Sequence, residues 1–403
     1  MMTIAGALER YGGVPFVLRS SGVATGAAVM ARAAELVAAG RDAAPIVASS
    51  DSAVEIVGAL VAGERSGRPV VLVPPHTAAP TVDGGHAFEI LLMTSGTTGP
   101  PKVVRHAPGA VTARIRSDAA PAVWLLTYSG ASFAGLQVIL TALFSRSQLI
   151  EAESRSIADL VAAAGRHHAT HVSGTPTFWR SWLTAAADSS RVPLAQITIG
   201  GEAVDQATLD RLARAHPAAR VVHIYASTEA GALFAVSDGR AGFPAAWLHT
   251  GVEGTALRIR DDVLEVCSPR RMIGYAAGGP LAEGDGWLST RDLVTIENDR
   301  VLFSGRADEI VNVGGYKVAP ERVERVLMDV PGVADALVYG RPNVITGQVV
   351  VADLVCDGSR DVGDTIAAAQ HAARSRLAKH EVPARFTVVD RLDVLASGKK
   401  RRR

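Results

Sequence analysis

Two segments that lie far apart in the chain carry residue types suited to phosphate chemistry. One is a loop rich in glycine and hydroxyl residues that follows the apolar run 88–93, namely Thr94-Ser95-Gly96-Thr97-Thr98-Gly99-Pro100-Pro101-Lys102. Its N–H groups and hydroxyls could bind phosphate oxygens, and its glycines would let the backbone approach closely. The loop lacks the Gly-x-x-x-x-Gly-Lys-Ser/Thr pattern of a Walker A loop. The same composition is also typical of a plain turn.

The second segment contains Lys399, beside Gly398 near the end of the sequence. An ammonium group delivered to the phosphate would neutralise charge as a pentacovalent centre forms, and it would bridge that centre to a substrate carboxylate. The alternative is an ordinary surface lysine on a terminal turn. Because both segments have an ordinary alternative, an interpretation as a phosphate site depends on further groups elsewhere in the chain.

Three residues that follow one another closely offer a base contact, a hydroxyl and a metal ligand. Tyr225 provides a flat ring on which adenine could stack, although a core tyrosine is an equally good interpretation. Thr228 provides a hydroxyl for the α-phosphate, and Glu229 provides a hard oxygen ligand for Mg²⁺. A Thr-Glu pair is also common at the start of a helix.

Two charged residues later in the chain are candidates for a sugar or phosphate contact. Asp292 could accept hydrogen bonds from both ribose hydroxyls through its two oxygens. Arg306 could reach phosphate or ribose. A turn aspartate and a solvated arginine are the alternatives.

Five motifs in a fixed order resemble the signatures of the adenylate-forming superfamily, which includes acyl-CoA synthetases, adenylation domains of nonribosomal peptide synthetases and beetle luciferases. They are residues 93–102, 225–229, 286–293, the block 305–309 with 314–318 and Pro320, and 397–402. The resemblance extends over nearly the whole chain from about residue 40.

The resemblance implies an ATP- and Mg²⁺-dependent enzyme that converts a small carboxylic acid to acyl-AMP and then transfers the acyl group to a thiol, most directly coenzyme A. It implies catalytic roles for Lys399, Thr228 and Glu229, with Glu229 also holding the metal. The residues implied to bind ATP are Thr94, Ser95, Gly96, Thr97, Thr98, Gly99, Lys102, Gly201, Glu202, Tyr225, Asp292 and Arg306.

The resemblance also implies a mobile C-terminal domain that turns about Asp308. The turn would withdraw Lys399 and bring a thiol-channel loop, Gly314, Gly315, Tyr316 and Lys317, to the site. The acid pocket implied by the resemblance consists of Phe178, Trp179, Gly200, Ala226, Gly231 and Phe234. Its aromatic members could equally be ordinary core residues.

The chain departs from the family pattern in several places. Arg291 and Ala226 each stand where the family has glycine, and the role of Arg291 stays open. The glycine loop begins at only residue 94, so a member shortened at its N-terminus is expected. No aspartate lies between Val123 and Ala158 to pair with a substrate ammonium. An α-amino acid would leave a buried cation unpaired, at a cost of several kcal/mol.

Other functions remain open on the sequence alone. The acyl acceptor could instead be the phosphopantetheine of a carrier protein, or an amine. A non-catalytic nucleotide- or acyl-binding protein is an alternative from another class. A plain kinase or ATPase fits the loop type poorly.

The elements that must position these residues follow an α/β pattern. Short β-rich runs alternate with Ala-rich stretches such as 206–215, which predicts parallel-rich sheets with flanking helices. Residues 257–260 and 263–266 alternate with period two, so they predict antiparallel strands. We expect a large domain at 1–307, containing a small β-subdomain at about 250–304, and a small α+β domain at 308–403, with a helix at 319–328.

Composition limits the partners. The chain has 41 Lys and Arg residues against 40 Asp and Glu, a net charge of +1. It therefore lacks the excess of positive charge that is typical of proteins that bind nucleic acid. Its two cysteines have no metal-type spacing. No stretch reaches the ~20 apolar residues of a membrane span, and no signal peptide is visible, so a cytoplasmic location is expected.

Overall fold

The computed structural model describes residues 2–40, 43–83, 86–94, 102–185, 192–278, 285–394 and 399–402. Helices and strands are numbered below in chain order.

The largest sheet of the described residues has eight strands. They are β1 (Pro15–Arg19), β2 (Gly22–Thr25), β7 (Val123–Leu125), β8 (Gln148–Ile150), β9 (His171–Gly174), β10 (Gln196–Gly200), β11 (Arg220–Ser227) and β12 (Gly231–Val236). Their spatial order is β12-β11-β10-β9-β7-β8-β1-β2. The strands from β11 to β1 are parallel, and an antiparallel strand closes each edge. Parallel strands end at the same edge, so the ends of β10 and β11 bring the 200–202 and 227–229 segments together.

A second sheet holds the two ends of the glycine loop. Its strands are β3 (Ile46–Ser49), β4 (Val70–Val73), β5 (Ile90–Met93), β6 (Val103–His106) and β16 (Gly274–Tyr275), in the order β16-β6-β5-β4-β3. The first three are parallel, whereas β6 and β16 are antiparallel to their neighbours. The loop from Thr94 to Lys102 therefore connects two adjacent antiparallel strands.

A third sheet is antiparallel throughout. It contains β13 (Phe243–Pro244), β14 (Ala256–Arg260), β15 (Val263–Cys267), β17 (Leu288–Glu297) and β18 (Arg300–Arg306), in the order β13-β18-β17-β15-β14. The period-two alternation predicted β14 and β15, because Leu257 and Ile259 of β14 and Leu264 and Val266 of β15 pack on one hydrophobic core. The register pairs Asp292 on β17 with Arg306 on β18.

The helices of these first three-quarters of the chain are mostly capped by hydroxyl or carboxylate side chains, for example Thr25, Ser132 and Asp205. They are α1 (Ile4–Glu9), α2 (Gly26–Ala38), α3 (Ala53–Ser66), α4 (Pro108–Thr112), α5 (Phe133–Phe144), α6 (Ile157–Arg166), α7 (Pro176–Ala185), α8 (Gln206–Ala215) and α9 (Trp247–Thr250). One hydrophobic core joins α3 and α5 to strands of the first two sheets. Among helices of the described residues, none is both long and apolar enough to cross a bilayer.

The C-terminal part has its own sheet and core. Its elements are β19 (Val311–Val313), β20 (Tyr316–Val318), α10 (Pro320–Met328), β21 (Val333–Asn343), β22 (Gly347–Cys356), α11 (Val362–Arg376) and β23 (Arg385–Val388). β22 pairs with β19, β21 and β23, and α10 and α11 pack on this sheet through a separate core. The short segment 307–310, which contains Asp308, links it to β18. We refer to the two parts as the large and the small domain.

Candidate active site

The two ends of the glycine loop are tied to each other. The Thr94 N–H donates to the Lys102 carbonyl oxygen at 2.8 Å, and the Lys102 N–H donates to Thr94 Oγ1 at 3.1 Å. The Lys102 ammonium lies 5.1 Å from the centre of the Tyr275 ring. Between these ends, the predicted phosphate contacts Ser95, Gly96, Thr97, Thr98 and Gly99 lie outside the described residues.

The turn between β11 and β12 carries Thr228 and Glu229 and is fixed through its backbone. The Thr228 carbonyl oxygen accepts from His106 Nε2 at 2.7 Å, and the Glu229 carbonyl oxygen accepts from the Met272 N–H at 2.8 Å. Gly231 then adopts a φ of +79°, and a Cβ there would lie 2.4 Å from the Arg270 carbonyl oxygen. Only glycine fits this close backbone crossing.

The charge of Glu229 acts on Tyr275, the ring that Lys102 approaches. Burial raises the pKa of Tyr275, and the negative charge of Glu229 adds to the rise. Since Lys102, the last residue of the glycine loop, approaches the same ring, a carboxylate and an ammonium both act on Tyr275 beside the end of that loop. If the glycine loop binds phosphates as predicted, a carboxylate beside it would suit Mg²⁺, which takes one or two protein carboxylates together with substrate phosphates.

His106 is a supporting residue that the sequence reasoning missed. Its side chain is fully buried, and burial lowers its pKa to about 4. The ring is therefore neutral near pH 7, and its contact with the Thr228 carbonyl requires the proton on Nε2. The available signal was a histidine at the end of a strand whose Val104 is buried, on the same face of the strand, which implies a buried polar partner.

Asp292 lies at the centre of a second polar cluster. It accepts a hydrogen bond from the Tyr225 hydroxyl on Oδ2, and Arg306 donates to Oδ1 at 2.8 Å. Burial raises the pKa of Asp292, while the positive charges of Arg306 and Lys399 oppose that rise. Each carboxylate oxygen can accept a further hydrogen bond. The Tyr225 ring packs with its centre 4.8 Å from that of Phe303 and 5.2 Å from that of Phe234. It therefore has the packing of a core tyrosine, which was one of the two interpretations of the sequence.

Lys399 reaches this cluster from the other domain. Its Cε lies 3.8 Å from the position that a Cβ would take on Gly201, at the end of β10. Gly201 has a φ of +88°, a left-handed conformation that favours glycine. The structure thus brings together Gly201, Asp292, Arg306 and Lys399, four predicted site residues from four separate segments.

Glu202, one of the predicted ATP contacts, contacts both a helix of the large domain and the C-terminal tail. Its Oε2 accepts from the N–H and the hydroxyl of Thr177, at 3.1 and 2.8 Å, at the start of α7. Its Oε1 accepts from the Lys400 N–H at 2.9 Å. The carboxylate thus joins a helix of the large domain to the C-terminal tail.

The six residues predicted for the acid pocket divide into two groups. Trp179 is fully buried in a hydrophobic core and donates its indole N–H to the Thr198 carbonyl at 2.9 Å. Phe234 is buried in an aromatic cluster with Phe243 and Trp247. These two rings have the core role that the sequence left as an alternative. Gly231 is buried in the turn described above, whereas Phe178, Gly200 and Ala226 are half-buried.

The link between the domains is held by two arginines. Asp308 Oδ1 accepts from Arg306 Nε at 3.0 Å, and Asp308 Oδ2 lies 3.7 Å from an Arg291 nitrogen. Arg291 has a φ of +61°, which explains why the family pattern places glycine at this position. Its guanidinium gives this chain an additional contact to Asp308.

The loop predicted to serve the thiol is presented to solvent. Gly314 and Gly315, with φ of +59° and +89°, form the turn between β19 and β20. Tyr316 is 61% exposed and stacks on His380 of the same domain with ring centres 4.4 Å apart, and Lys317 is exposed. In this arrangement Lys399 occupies the site while Tyr316 faces solvent.

Comparison with known families gives two adjacent matches. A family model described as AMP-binding enzyme matches residues 19–274, and one described as AMP-binding enzyme C-terminal domain matches residues 322–399.

Curated relatives are similar over most of the chain. A p-hydroxybenzoic acid–AMP ligase, FadD22, of Mycobacterium marinum is 27% identical over 346 residues, which cover 78% of this chain and 48% of the relative. A 2-succinylbenzoate–CoA ligase of Bacillus subtilis is 27% identical over 345 residues, covering 78% of this chain and 67% of the relative. The chain therefore spans about half the length of the first relative and two-thirds of the second.

Solved structures share the fold over nearly the whole chain. The anthranilate CoA ligase AuaEII in complex with anthranoyl-AMP has a TM-score of 0.79 at 17% identity, covering 99% of this chain and 95% of the other. ATP-bound MatB from Rhodopseudomonas palustris has a TM-score of 0.76 at 20% identity, with coverages of 99% and 97%. The predicted α/β fold, with a large N-terminal and a small C-terminal domain, is confirmed.

Proposed function

The chain belongs to the AMP-binding enzyme family, and from this premise we propose that it activates a carboxylic acid as an acyl-adenylate and transfers the acyl group to coenzyme A. The observation that carries the proposal is the position of Lys399. Its side chain lies against Gly201 and its charge acts on Asp292, although it belongs to the small domain. A tail lysine that approaches Gly201 and whose charge acts on Asp292 suits electrostatic catalysis.

In the first half-reaction, a carboxylate oxygen of the acid attacks the α-phosphorus of ATP. The bond from that phosphorus to the bridging oxygen breaks, and pyrophosphate leaves with the electron pair. Lys399 neutralises the negative charge that builds up between the two reactants. Thr228 donates its hydroxyl to the α-phosphate, and the glycine loop with Lys102 holds the departing phosphates.

Asp292 and Arg306 fix the nucleoside. Asp292 accepts from the ribose hydroxyls, which requires its ionised form at neutral pH, and Arg306 and Lys399 favour that form. Glu229 would hold Mg²⁺. The metal would add charge neutralisation at the phosphates.

In the second half-reaction, the small domain turns about Asp308 and withdraws Lys399. The 314–317 loop then lines the approach of the thiol. The thiol sulfur attacks the acyl carbonyl carbon, AMP leaves with the electrons of the carbon–oxygen bond, and the thiol releases its proton. The ion pairs of Asp308 with Arg306 and Arg291 suit a hinge, because they can break and re-form without disturbing a core.

Two relatives favour an aromatic acid and a thiol acceptor, since one is named as a p-hydroxybenzoic acid–AMP ligase and the other as a 2-succinylbenzoate–CoA ligase. Half-buried Phe178 and Ala226 at the proposed acid pocket agree with an uncharged aryl or aliphatic group. A carrier-protein phosphopantetheine and an amine remain alternative acceptors for the same adenylate.

The test is a panel of aryl and aliphatic carboxylic acids with ATP and Mg²⁺, followed by mass spectrometry of acyl-AMP and by a pyrophosphate assay. Parallel reactions add coenzyme A, a phosphopantetheinylated carrier protein or an amine. We expect acid-dependent pyrophosphate release together with AMP, and acyl-CoA when coenzyme A is present. Absence of pyrophosphate release across the panel would favour a non-catalytic binding protein, and ADP as the product would indicate a kinase.

A further inference from the structure

A buried ion pair crosses between the two domains away from the nucleotide cluster. Arg180, on α7 of the large domain, has its Nε 2.9 Å from Oδ1 of Asp335, on β21 of the small domain. The two side chains are only 4% and 8% exposed. A charge pair so thoroughly removed from water contributes strongly to the arrangement of its two elements, because loss of one partner leaves an uncompensated buried charge.

The same Asp335 oxygen also holds the C-terminal tail. Lys400 Nζ lies 3.0 Å from Asp335 Oδ1 and 3.2 Å from Glu324 Oε2, and its side chain is 7% exposed. The Lys400 N–H donates to Glu202 of the large domain at 2.9 Å. Lys400, the residue that follows Lys399 in the sequence, is thus bound by carboxylates of both domains.

Arg180 is charged and otherwise anchored within the large domain. It contacts Asp205 at 3.3 Å and donates to the Thr177 hydroxyl at 3.0 Å. Burial opposes its charged form, but the pKa of Arg180 is nevertheless raised by the carboxylates that face it, with Asp335 contributing most. Arg180 is therefore a buried cation that the large domain holds in place, and Asp335 is the small-domain carboxylate that pairs with it.

We propose that Asp335 is a positioning residue for the first half-reaction: it docks the small domain on Arg180 and fixes Lys400, and it thereby sets the place of Lys399. This inference rests on the proposed function, since it assigns Asp335 to the arrangement in which the adenylate forms. The turn about Asp308 separates Arg180 from Asp335. The ion pair consequently favours adenylate formation and opposes the turn that precedes thiol transfer.

The test is Asp335→Asn, which keeps the shape of the side chain and removes its charge. We expect acyl-AMP formation to slow about tenfold or more, whereas thiol transfer from supplied acyl-AMP is unchanged or faster. The matched control is Asp353→Asn. Asp353 is a buried carboxylate on the adjacent strand β22 whose hydrogen bond, from the Tyr339 hydroxyl at 3.3 Å, stays within the small domain. Equal slowing of both half-reactions by Asp335→Asn would overturn the proposal.

A double-mutant cycle with Arg180→Gln distinguishes positioning from general destabilisation. In the adenylation step the double variant should be no slower than the worse single variant, and in thiol transfer the two changes should show no coupling. Strictly additive losses in adenylation would contradict the proposal. Thermal unfolding of each variant identifies a failure to fold.

A readout independent of activity is amide hydrogen exchange in the C-terminal peptide that contains Lys400. Asp335→Asn should accelerate exchange there, while Asp353→Asn should not; equal exchange in both would count against the docking role. Wild-type protein that forms no acyl-AMP would refute the proposed function. Wild-type protein that is active, with an equally active Asp335→Asn variant, would refute this inference alone.

Discussion

At the scale of single residues, the charge of Lys399 is the group whose removal should separate the two half-reactions. It lies beside Gly201 and acts on Asp292. Lys399→Ala is expected to slow acyl-AMP formation by about 10²–10³-fold, as for loss of one positioned group at a developing charge. Transfer from supplied acyl-AMP should be spared, since Lys399 is then withdrawn. Quench-flow with pyrophosphate detection measures the first step, and exposed Lys379 of the small domain provides a matched Lys→Ala control. Loss of both steps would disprove the assignment.

Asp292 provides a second prediction at this scale. Its carboxylate is held by Tyr225 and Arg306 and faces the Lys399 charge. Asp292→Asn keeps the shape but weakens acceptance from two ribose hydroxyls, so the KM for ATP should rise about tenfold, the loss of one or two hydrogen bonds to a charged group. Steady-state kinetics with ATP as the varied substrate measures this. Asp299→Asn, at an exposed turn of the same sheet, is the control. An unchanged KM would remove Asp292 from the nucleotide site.

His106 gives the protein a specific pH dependence. Burial lowers its pKa from 6.5 to about 4, so between these values the unfolded chain binds a proton that the folded chain does not. Stability therefore falls as the pH drops from about 6.5 towards 4, by up to about 3 kcal/mol from this residue, and is unaffected by it at higher pH. His106→Gln keeps a donor for the Thr228 carbonyl and should flatten that part of the curve. Urea unfolding across this pH range measures the difference, with exposed His249→Gln as control; parallel curves for wild type and His106→Gln would contradict it.

At the residue scale, the structure brings together several residues that the sequence assigned to one site from separate motifs, and their roles stay predictions. Lys399, Gly201, Asp292 and Arg306 are brought together by the fold. Glu202 was assigned to ATP through the family resemblance, and the structure adds contacts of its oxygens with Thr177 and the Lys400 backbone that the sequence did not indicate. Arg180, Asp335 and His106 were missed, since a buried pair between distant segments has no local pattern. The available signal was a charged residue inside an apolar helix or strand. Such a residue requires a polar partner, but the sequence does not show which residue that partner is.

At the scale of elements, the β11–β12 turn depends on a glycine that no other residue can replace. A Cβ at Gly231 would lie 2.4 Å from the Arg270 carbonyl oxygen, and φ is +79°. Gly231→Ala should destabilise the fold by about 1–3 kcal/mol and also slow adenylation, because the turn holds Thr228 and Glu229. Gly239 has a similar φ of +74° with nothing within 4 Å, so Gly239→Ala separates the clash from the backbone strain. Urea titration should give a clearly lower free energy of unfolding for Gly231→Ala than for Gly239→Ala. Equal decreases would mean that the backbone around Gly231 can relax to accommodate a Cβ.

Element types were predictable where the periodicity was long or strict. The helix at 206–215 and the antiparallel strands at 257–260 and 263–266 followed from patterns of hydrophobic residues. The two-residue strand β16, which brings Tyr275 next to β6, could not be predicted, because its place is set by pairing with Arg105 and Val104 and not by its own sequence. Sheet order was likewise beyond the sequence, since β1 pairs with β8 across more than a hundred intervening residues.

At the scale of the whole molecule, the proposed function requires two arrangements of the domains, and we propose that the link at 307–310 determines how easily they exchange. Asp308 is held by Arg306 and Arg291 in the arrangement described here, with Lys399 at the site and Tyr316 in solvent. A turn about this residue requires its backbone dihedrals to change. Proline at position 308 fixes φ near −65°, and alanine there removes the ion pairs but leaves the backbone free.

Asp308→Pro should therefore slow thiol transfer at least about tenfold while leaving acyl-AMP formation within a few-fold of wild type. Asp308→Ala should affect transfer much less, because the carboxylate contacts belong to one arrangement and are lost in the turn. Single-turnover assays of each step, started from ATP and acid or from supplied acyl-AMP, measure both effects. If Asp308→Pro slows adenylation more than transfer, or if alanine and proline act alike, the hinge lies elsewhere in the link. On its own, Asp335→Asn should leave thiol transfer unchanged or faster. In the Asp308→Pro background it should restore little of the lost transfer, because the proline itself still opposes the turn.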